Sequence, residues 1–136
     1  MKQIEVVAGI IINQDKILCM KRGISKFTYV SQKFEFPGGK VEDKETYRQA
    51  LAREIREELR IEIEIGEKLM VVNHTYPDFQ IRMHCYLCSS ENRKITLTEH
   101  IESKWLYCQE LNQLDWAAAD IPAVKRLMEC KNAPAT

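Results

Sequence analysis

The hydrophobic positions of this chain change period several times, and each change predicts a different element. Residues 4–12 form an almost unbroken aliphatic run rich in β-branched side chains, which is typical of a strand buried on both faces. The turn-forming residues 13–16 follow, and the apolar residues 17–20 then predict a second strand and therefore a hairpin. Residues 34–36 predict a short third strand.

Alternating positions predict the strands of the second half. Residues 62–65 alternate cleanly and predict a half-exposed strand that Gly66 ends, after which residues 69–76 predict another strand. Residues 79–88 alternate again, with one face apolar, and residues 103–106 predict the last strand.

The first predicted helix has a clear start and a clear apolar face. Thr46 and Gln49 are spaced as a capping box, in which each side chain accepts a hydrogen bond from the backbone N–H of the other residue. At about 100° per residue, Leu51, Ile55 and Leu59 form one apolar arc. A helix beginning near Thr46 and packing on the core is therefore expected.

The second helix is predicted near the end of the chain. Asp120 is placed as its N-cap and Pro122 lies in its first turn. Its buried stripe consists of Val124, Leu127 and Met128. Residues 131–136 are expected to be a loose tail. Strands and helices do not alternate regularly, so the fold class is α+β.

Composition narrows the possible classes of protein. A length of 136 residues predicts one domain, residues 1–136. The formal net charge of zero gives no field that would attract a nucleic acid polymer.

No apolar run approaches a membrane span, and an early Glu5 argues against a signal peptide. Five cysteines, an odd count, favour reduced thiols and a cytoplasmic location, with Cys85 and Cys88 on opposite faces of one strand.

Three carboxylates lie beside the apolar arc of the first helix. Glu54, Glu57 and Glu58 are spaced i, i+3, i+4 and repel one another unless a positive charge sits between them. A divalent cation such as Mg²⁺ prefers such an oxygen cluster. Taken alone, the helix favours a solvated surface on which Arg53 and Glu57 form an ordinary i, i+4 pair.

The stretch beginning at Gly39 decides between these two interpretations. It resembles the Nudix box, G-x5-E-x7-R-E-U-x-E-E-x-G-U, in which U is a bulky aliphatic residue. The matching positions are Gly39, Glu45, Arg53, Glu54, Ile55, Glu57, Glu58 and Ile61. Arg60 stands where the pattern has glycine, at a cost of roughly 1 kcal/mol if the residue is left-handed. Glycines 38 and 39 are expected to form a turn that only glycine permits.

The resemblance implies an α/β/α sandwich with a mixed sheet, and a hydrolase that uses Mg²⁺ or Mn²⁺. It implies the metal ligands Gly38 (through its carbonyl), Glu54, Glu57, Glu58 and Glu99. Glu54 would bind metal or orient the attacking water, and whether Glu54 or Glu99 is the general base stays open. Arg53 would orient the glutamates by ion pairing. Without the resemblance, Glu99 is an ordinary surface glutamate in a loop.

Four further residues are candidates for contact with substrate. Lys40 is placed to contact phosphate, and Arg22 either does the same or is a charged strand end. Phe36 either stacks on a base, as Trp116 would, or packs in the core. Asp120 either caps the last helix or accepts a hydrogen bond from an amino group of a base, such as the N4 amine of cytosine.

The chain as a whole resembles the MutT branch of the family, and within it the CTP pyrophosphohydrolases. The resemblance implies hydrolysis of a nucleoside triphosphate to a monophosphate and pyrophosphate, with CTP or a modified dCTP as the first substrate and 8-oxo-dGTP as the second. A silent nucleotide sensor and an ADP-ribose or dinucleotide hydrolase are the rivals. The expected partner is a small nucleotide, with no membrane or nucleic acid polymer, and the chain is a monomer or a homodimer.

Overall fold

The computed structural model describes residues 1–129, so the tail predicted at residues 131–136 lies outside the described part. The strands are β1 (Gln3–Asn13), β2 (Lys16–Arg22), β3 (Phe34–Glu35), β4 (Gly38–Lys40), β5 (Glu64–Thr75), β6 (Gln80–Ser89) and β7 (His100–Leu106). The helices are α1 (Tyr47–Leu59) and α2 (Ile121–Glu129), with 3-10 turns at Cys108–Gln113 and Ala118–Asp120. Within residues 1–129, no helix is both long and apolar enough to cross a membrane.

The strands form one mixed sheet in the order β3-β2-β1-β6-β5, with β4 paired to β1 and β7 paired to β2. β1 and β6 are parallel, whereas the other pairs are antiparallel. The predicted hairpin of β1 and β2 is present. Its turn residues Gln14 and Asp15 have φ of 49° and 66°, the left-handed conformation that suits the twist of a hairpin.

Strand β1 divides the core in two, because alternate side chains point to opposite faces of the sheet. Ile10 and Ile12 pack in the cluster that includes Leu127 of α2, and Ile11 packs in the cluster that includes Leu51 of α1. The two helices therefore cover opposite faces, and the predicted α+β sandwich is confirmed.

Cys85 and Cys88 are buried thiols that belong to the two different clusters. Burial raises the pKa of each to about 12. The prediction that Cys85 and Cys88 lie on opposite faces of one strand is confirmed.

The prediction that Gly66 separates two strands is wrong, since β5 continues through it. The register of the pairing between β5 and β6 shifts between Ile65 and Met70, which marks β-bulges on either side of Lys68. A Cβ at Gly66 would lie 3.0 Å from the carbonyl oxygen of Leu87 on β6. The glycine thus permits a close approach of two backbones within the sheet.

Strand β7 begins at His100, three residues earlier than its pattern predicts. His100 pairs with Arg22 of β2 across a register shift, and this pairing extends the strand beyond its alternating part. Glu99 therefore lies directly before the first residue of a fixed strand.

Arg60 adopts the left-handed conformation that the glycine of the box would have there, with φ of 58° and ψ of 35°. We expect Arg60→Gly to raise the free energy of unfolding by about 1 kcal/mol, because glycine has no Cβ to crowd the backbone in this conformation. Ala52→Gly, which puts the same residue inside α1, is the control and should lower it by about 1 kcal/mol. Urea denaturation measures the free energy of unfolding of both variants. A lower value for Arg60→Gly than for the wild type would contradict the expectation that the left-handed conformation strains Arg60.

Candidate active site

A cavity of about 990 Å³ opens beside β1, β4, α1 and the segment before β7. Its walls bring together nine of the predicted site residues: Arg22, Phe36, Gly38, Lys40, Glu54, Glu57, Glu58, Glu99 and Asp120. Arg53, the remaining candidate, lies behind the glutamates and contacts them. The cavity has the size of a site for a small organic ligand.

Helix α1 presents its acidic face to the cavity because its start and its apolar face are both fixed. The capping box of Thr46 and Gln49 is present as predicted. Leu51, Ile55 and Leu59 are fully buried against the sheet. Glu58, on the border of this apolar arc, is only 7% exposed.

Glu58 is a buried carboxylate without a partner for one of its oxygens. No hydrogen-bond donor reaches its Oε1 among the described residues. Burial, followed by the nearby charges of Glu54, Glu35 and Glu99, raises the pKa of Glu58 to about 9. Burial also raises the pKa of Glu54, although Arg53 opposes this. Burial and mutual repulsion therefore disfavour negative charge on Glu58 and Glu54 at the end of the cavity next to α1.

Arg53 ties this acidic group to the neighbouring strand. Its Nε donates to Glu45 Oε2 at 2.6 Å, and one terminal nitrogen lies 3.2 Å from Glu54 Oε1 and 3.1 Å from Glu57 Oε1. The other terminal nitrogen donates to the carbonyl of Lys40 at 3.0 Å. Hydrogen bonding from Arg53 lowers the pKa of Glu45. One guanidinium thus holds two glutamates of α1 against β4.

The expected glycine turn is not formed, because Gly38 and Gly39 belong to the extended strand β4 and no described glycine has a positive φ. Their role is close approach. A Cβ at Gly38 would overlap the backbone of Val7, and a Cβ at Gly39 would overlap the carboxylate of Glu54. Only glycine lets β4 lie between β1 and the acidic face of α1.

We expect Gly39→Ala to lower activity by about a hundredfold while the protein stays folded, because the methyl group displaces Glu54 from its place beside Arg53. Gly9→Ala is the matched control, since its Cβ would meet side-chain atoms of Ile11, Leu51 and Cys88 at the ordinary contact distances of 3.5, 3.5 and 3.6 Å. Activity assays with circular dichroism check both variants. Full activity in Gly39→Ala would show that the position of Glu54 is unimportant.

The acidic end of the cavity fits a divalent cation. The groups available are hard oxygen donors, one of which has no hydrogen-bond partner, and burial together with repulsion between neighbouring carboxyl groups raises the pKa values of Glu54 and Glu58. Among residues 1–129, no three acidic, histidine or cysteine side chains already converge as a metal site, and Glu57 is turned toward Arg53. Rotation of flexible glutamate side chains would be needed to gather these oxygens around one ion.

Asp120 lies in the same cavity and is 4% exposed. Its Oδ1 accepts a hydrogen bond from the backbone N–H of Phe36 at 3.0 Å. In place of the predicted cap of α2, the Asp120 side chain makes this long-range contact, because the 3-10 turn that ends at Asp120 directs its carboxyl group into the cavity. Burial first, and then the charge of Glu35, raises the pKa of Asp120 well above its usual value.

The two aromatic candidates differ in their access to the cavity. The rings of Phe36 and Trp116 pack with centroids 4.6 Å apart, and both residues are buried. Phe36 lines the cavity, whereas the Trp116 Nε1 donates to the carbonyl of Leu111 at 2.7 Å inside the core. Trp116 is therefore a core residue, and Phe36 is available to a ligand only at the edge that faces the cavity.

Two groups of cavity residues were not predicted. Glu35 lies 2.9 Å from the Nε2 of His100 and 3.3 Å from a guanidinium nitrogen of Arg22. A single charge between two aromatic residues, Phe34 and Phe36, was the signal in the sequence that this short strand brings a carboxylate to the cavity.

The second unpredicted group is an aromatic wall. Phe27, Tyr76 and Phe79 line the cavity, and the ring of Tyr29 stacks on those of Phe27 and Tyr76. The Tyr29 hydroxyl donates to Asp78 Oδ2 at 2.6 Å, which ties the loop of residues 23–33 to the turn before β6. Aromatic packing therefore fixes this loop to the body of the protein.

Known proteins share this sequence and architecture. A family model described as the NUDIX domain matches residues 2–127. The CTP pyrophosphohydrolase of Escherichia coli K12 is 37% identical over 98% of this chain and 97% of its own length. The 8-oxo-dGTP diphosphatase of the same organism is 28% identical over 93% of this chain and 98% of its own length. A MutT protein of methicillin-resistant Staphylococcus aureus 252 superposes with a TM-score of 0.73 at 43% identity, covering 95% of this chain and 98% of that protein.

Nudix hydrolases generally use divalent metal ions. With the matching acidic helix at its cavity, the chain belongs to the Nudix hydrolase family and is a nucleotide pyrophosphohydrolase.

Proposed function

We propose that this enzyme hydrolyses a nucleoside triphosphate to a nucleoside monophosphate and pyrophosphate in a Mg²⁺-dependent reaction, with CTP or a modified dCTP as its preferred substrate. The observation that carries the proposal is the arrangement of one cavity. Its acidic end holds Glu58, one of whose oxygens has no hydrogen-bond partner among the described residues, and the same cavity holds a buried acceptor, Asp120.

The residues suited to hold Mg²⁺, or Mn²⁺ in its place, are Gly38 through its carbonyl, Glu54, Glu57, Glu58 and Glu99. When bound, such an ion offsets the charge of the triphosphate and activates a water molecule. The family resemblance and the unsatisfied oxygen of Glu58 support this ligand set.

The protein's own side chains orient the reactants. Arg53 holds Glu54 and Glu57 by ion pairs and so limits the directions in which their oxygens point. Glu54, beside Arg53, and Glu99, directly before β7, both line the cavity and are the two candidates for the group that takes a proton from the attacking water. Lys40 and Arg22 line the cavity as the cations suited to contact the phosphates.

Asp120 is proposed to select the base. A carboxylate oxygen accepts hydrogen bonds, which suits the N4 amine of cytosine. The similarity to a CTP pyrophosphohydrolase supports this choice. A sanitising activity on 8-oxo-dGTP is the second candidate, favoured by the similarity to 8-oxo-dGTP diphosphatases.

The test is a comparison of kcat/KM in Mg²⁺ for CTP, 5-methyl-dCTP, dGTP, 8-oxo-dGTP, ADP-ribose and a diadenosine polyphosphate. The proposal predicts that a cytosine triphosphate is the best substrate. A higher value for 8-oxo-dGTP would favour the second candidate. Cleavage of ADP-ribose or the dinucleotide alone, or binding without any cleavage, would contradict the proposal and favour the other family activities.

A further inference from the structure

The segment of residues 94–98 binds the end of α1 and leads directly to Glu99. The carbonyls of Glu58 and Leu59 lie too near the end of the helix to have an N–H partner within it. The segment supplies both donors. The backbone N–H of Thr96 donates to the Leu59 carbonyl at 3.0 Å, and the hydroxyl of Thr98 donates to the Glu58 carbonyl at 2.8 Å. Ile95 packs against the same hydrophobic cluster as Leu59, so the segment follows the end of α1 closely.

Glu58 takes part in this arrangement through both its side chain and its backbone. Its side chain lines the cavity, whereas its backbone carbonyl binds Thr98, a residue 40 positions later in the chain. Thr98 directly precedes Glu99, which lines the same cavity and whose charge contributes to the raised pKa of Glu58. One hydrogen bond therefore connects the backbones that carry these two carboxyl groups.

Glu99 is held from both sides by its neighbours in the chain. His100, the first residue of β7, pairs with β2, and Thr98 binds the end of α1. The glutamates of α1 are held differently, because the guanidinium of Arg53 contacts their carboxylates directly. The position of the Glu99 carboxylate thus depends on where its own backbone is fixed.

We propose that Thr98 is a positioning residue, which fixes Glu99 relative to Glu58 through the hydrogen bond from its hydroxyl to the Glu58 carbonyl. The proposal rests on the proposed function, since the spacing of these carboxylates matters only if both serve one reaction. A displacement of about 1 Å in such a group is enough to slow a reaction strongly. Threonine suits the role because its β-branched side chain has few rotamers and its hydroxyl can donate.

The experiment compares Thr98→Val and Thr98→Ser with the wild type on the best triphosphate substrate in Mg²⁺. Valine keeps the shape of threonine without the hydroxyl, whereas serine keeps the hydroxyl. Thr98→Val should lower kcat about tenfold with little change in KM, and Thr98→Ser should stay within about twofold of the wild type. Thr96→Val is the matched control and should behave as the wild type, because Thr96 binds α1 through its backbone N–H.

Glu99→Gln distinguishes an effect through Glu99 from general support of α1. This variant should lose more activity than Thr98→Val. The double variant should be about as active as Glu99→Gln alone, because Thr98 has no further effect once the carboxylate that it positions is absent. If the two losses multiply instead, Thr98 acts independently of Glu99 and the proposal is wrong.

Amide hydrogen exchange of the metal-free protein tests the contact without catalysis. The peptide covering residues 94–100 should exchange about tenfold faster in Thr98→Val than in the wild type, Thr98→Ser or Thr96→Val, because the segment opens locally more often. Thermal melting confirms that each variant is folded.

Full activity of Thr98→Val, an equal loss in Thr98→Ser, or unchanged exchange would overturn the role of Thr98 and leave the proposed function intact. Full activity of Glu99→Gln would also overturn it, since Thr98 would then have no reacting group to position. Failure of the wild type to hydrolyse any triphosphate would overturn the proposed function together with it.

Discussion

Glu58→Gln is expected to reduce turnover by at least about a hundredfold and, at the same time, to stabilise the metal-free protein. Turnover falls because an amide oxygen carries no charge with which to bind a divalent cation. Stability rises because the substitution removes a carboxyl group whose ionised form is disfavoured by burial and by the charges of Glu54, Glu35 and Glu99. Activity assays and thermal melting with and without Mg²⁺ measure the two effects separately.

The stability effect has a definite dependence on pH. The pKa of Glu58 is raised from 4.5 to about 9 on folding, so between these values the folded state binds more protons than the unfolded state. Stability of the wild type therefore falls as pH rises through this window, and the variant lacks this loss. The gain in melting temperature should be absent near pH 4.5 and should grow toward pH 9.

The control for Glu58→Gln is Glu67→Gln, which changes an exposed glutamate on β5 and should alter neither property. Mg²⁺ should raise the melting temperature of the wild type and of Glu67→Gln but have little effect on Glu58→Gln. Near-normal turnover in Glu58→Gln would exclude Glu58 from the catalytic machinery.

Asp120→Asn is expected to change the ratio of kcat/KM between CTP and 8-oxo-dGTP by about tenfold to a hundredfold in favour of the guanine substrate. Asparagine keeps the size of the side chain, and its carbonyl can still accept from the Phe36 N–H. Its amide group adds a donor, which a carboxylate lacks and which suits the carbonyl of an oxidised guanine. The fold should therefore survive while the choice of base changes.

The control for Asp120→Asn is Asp115→Asn, at an exposed position where Asp115 pairs with Lys33. It should leave the ranking of substrates unchanged. If Asp120→Asn lowers stability but keeps the wild-type ranking, Asp120 contributes to the structure and not to recognition of the base.

The acidic face of α1 could be predicted because its determinants are local. The period of Leu51, Ile55 and Leu59 and the capping box at Thr46 fix the helix, and the three glutamates follow from spacing alone. The two strands that begin the chain were predictable for the same reason, since a continuous aliphatic run and a turn lie next to each other.

The features that could not be predicted depend on residues far apart in the sequence. Gly39 is required because Glu54 approaches it, and the partner of Asp120 is a backbone group 84 residues earlier. Glu35 and His100 are 65 residues apart and meet only because β2 lies between their strands. No local period encodes such contacts, so the glycine turn and the helix cap were reasonable local predictions that tertiary structure overrode.

The most direct measurement is ³¹P NMR of the products formed from CTP and Mg²⁺ in ¹⁸O-labelled water. The account predicts CMP and pyrophosphate, with the label in one of these two products, and no reaction when the metal is chelated. Release of CDP and orthophosphate, or turnover that persists without a divalent ion, would contradict the claim that the acidic face of α1 catalyses nucleoside triphosphate pyrophosphohydrolysis.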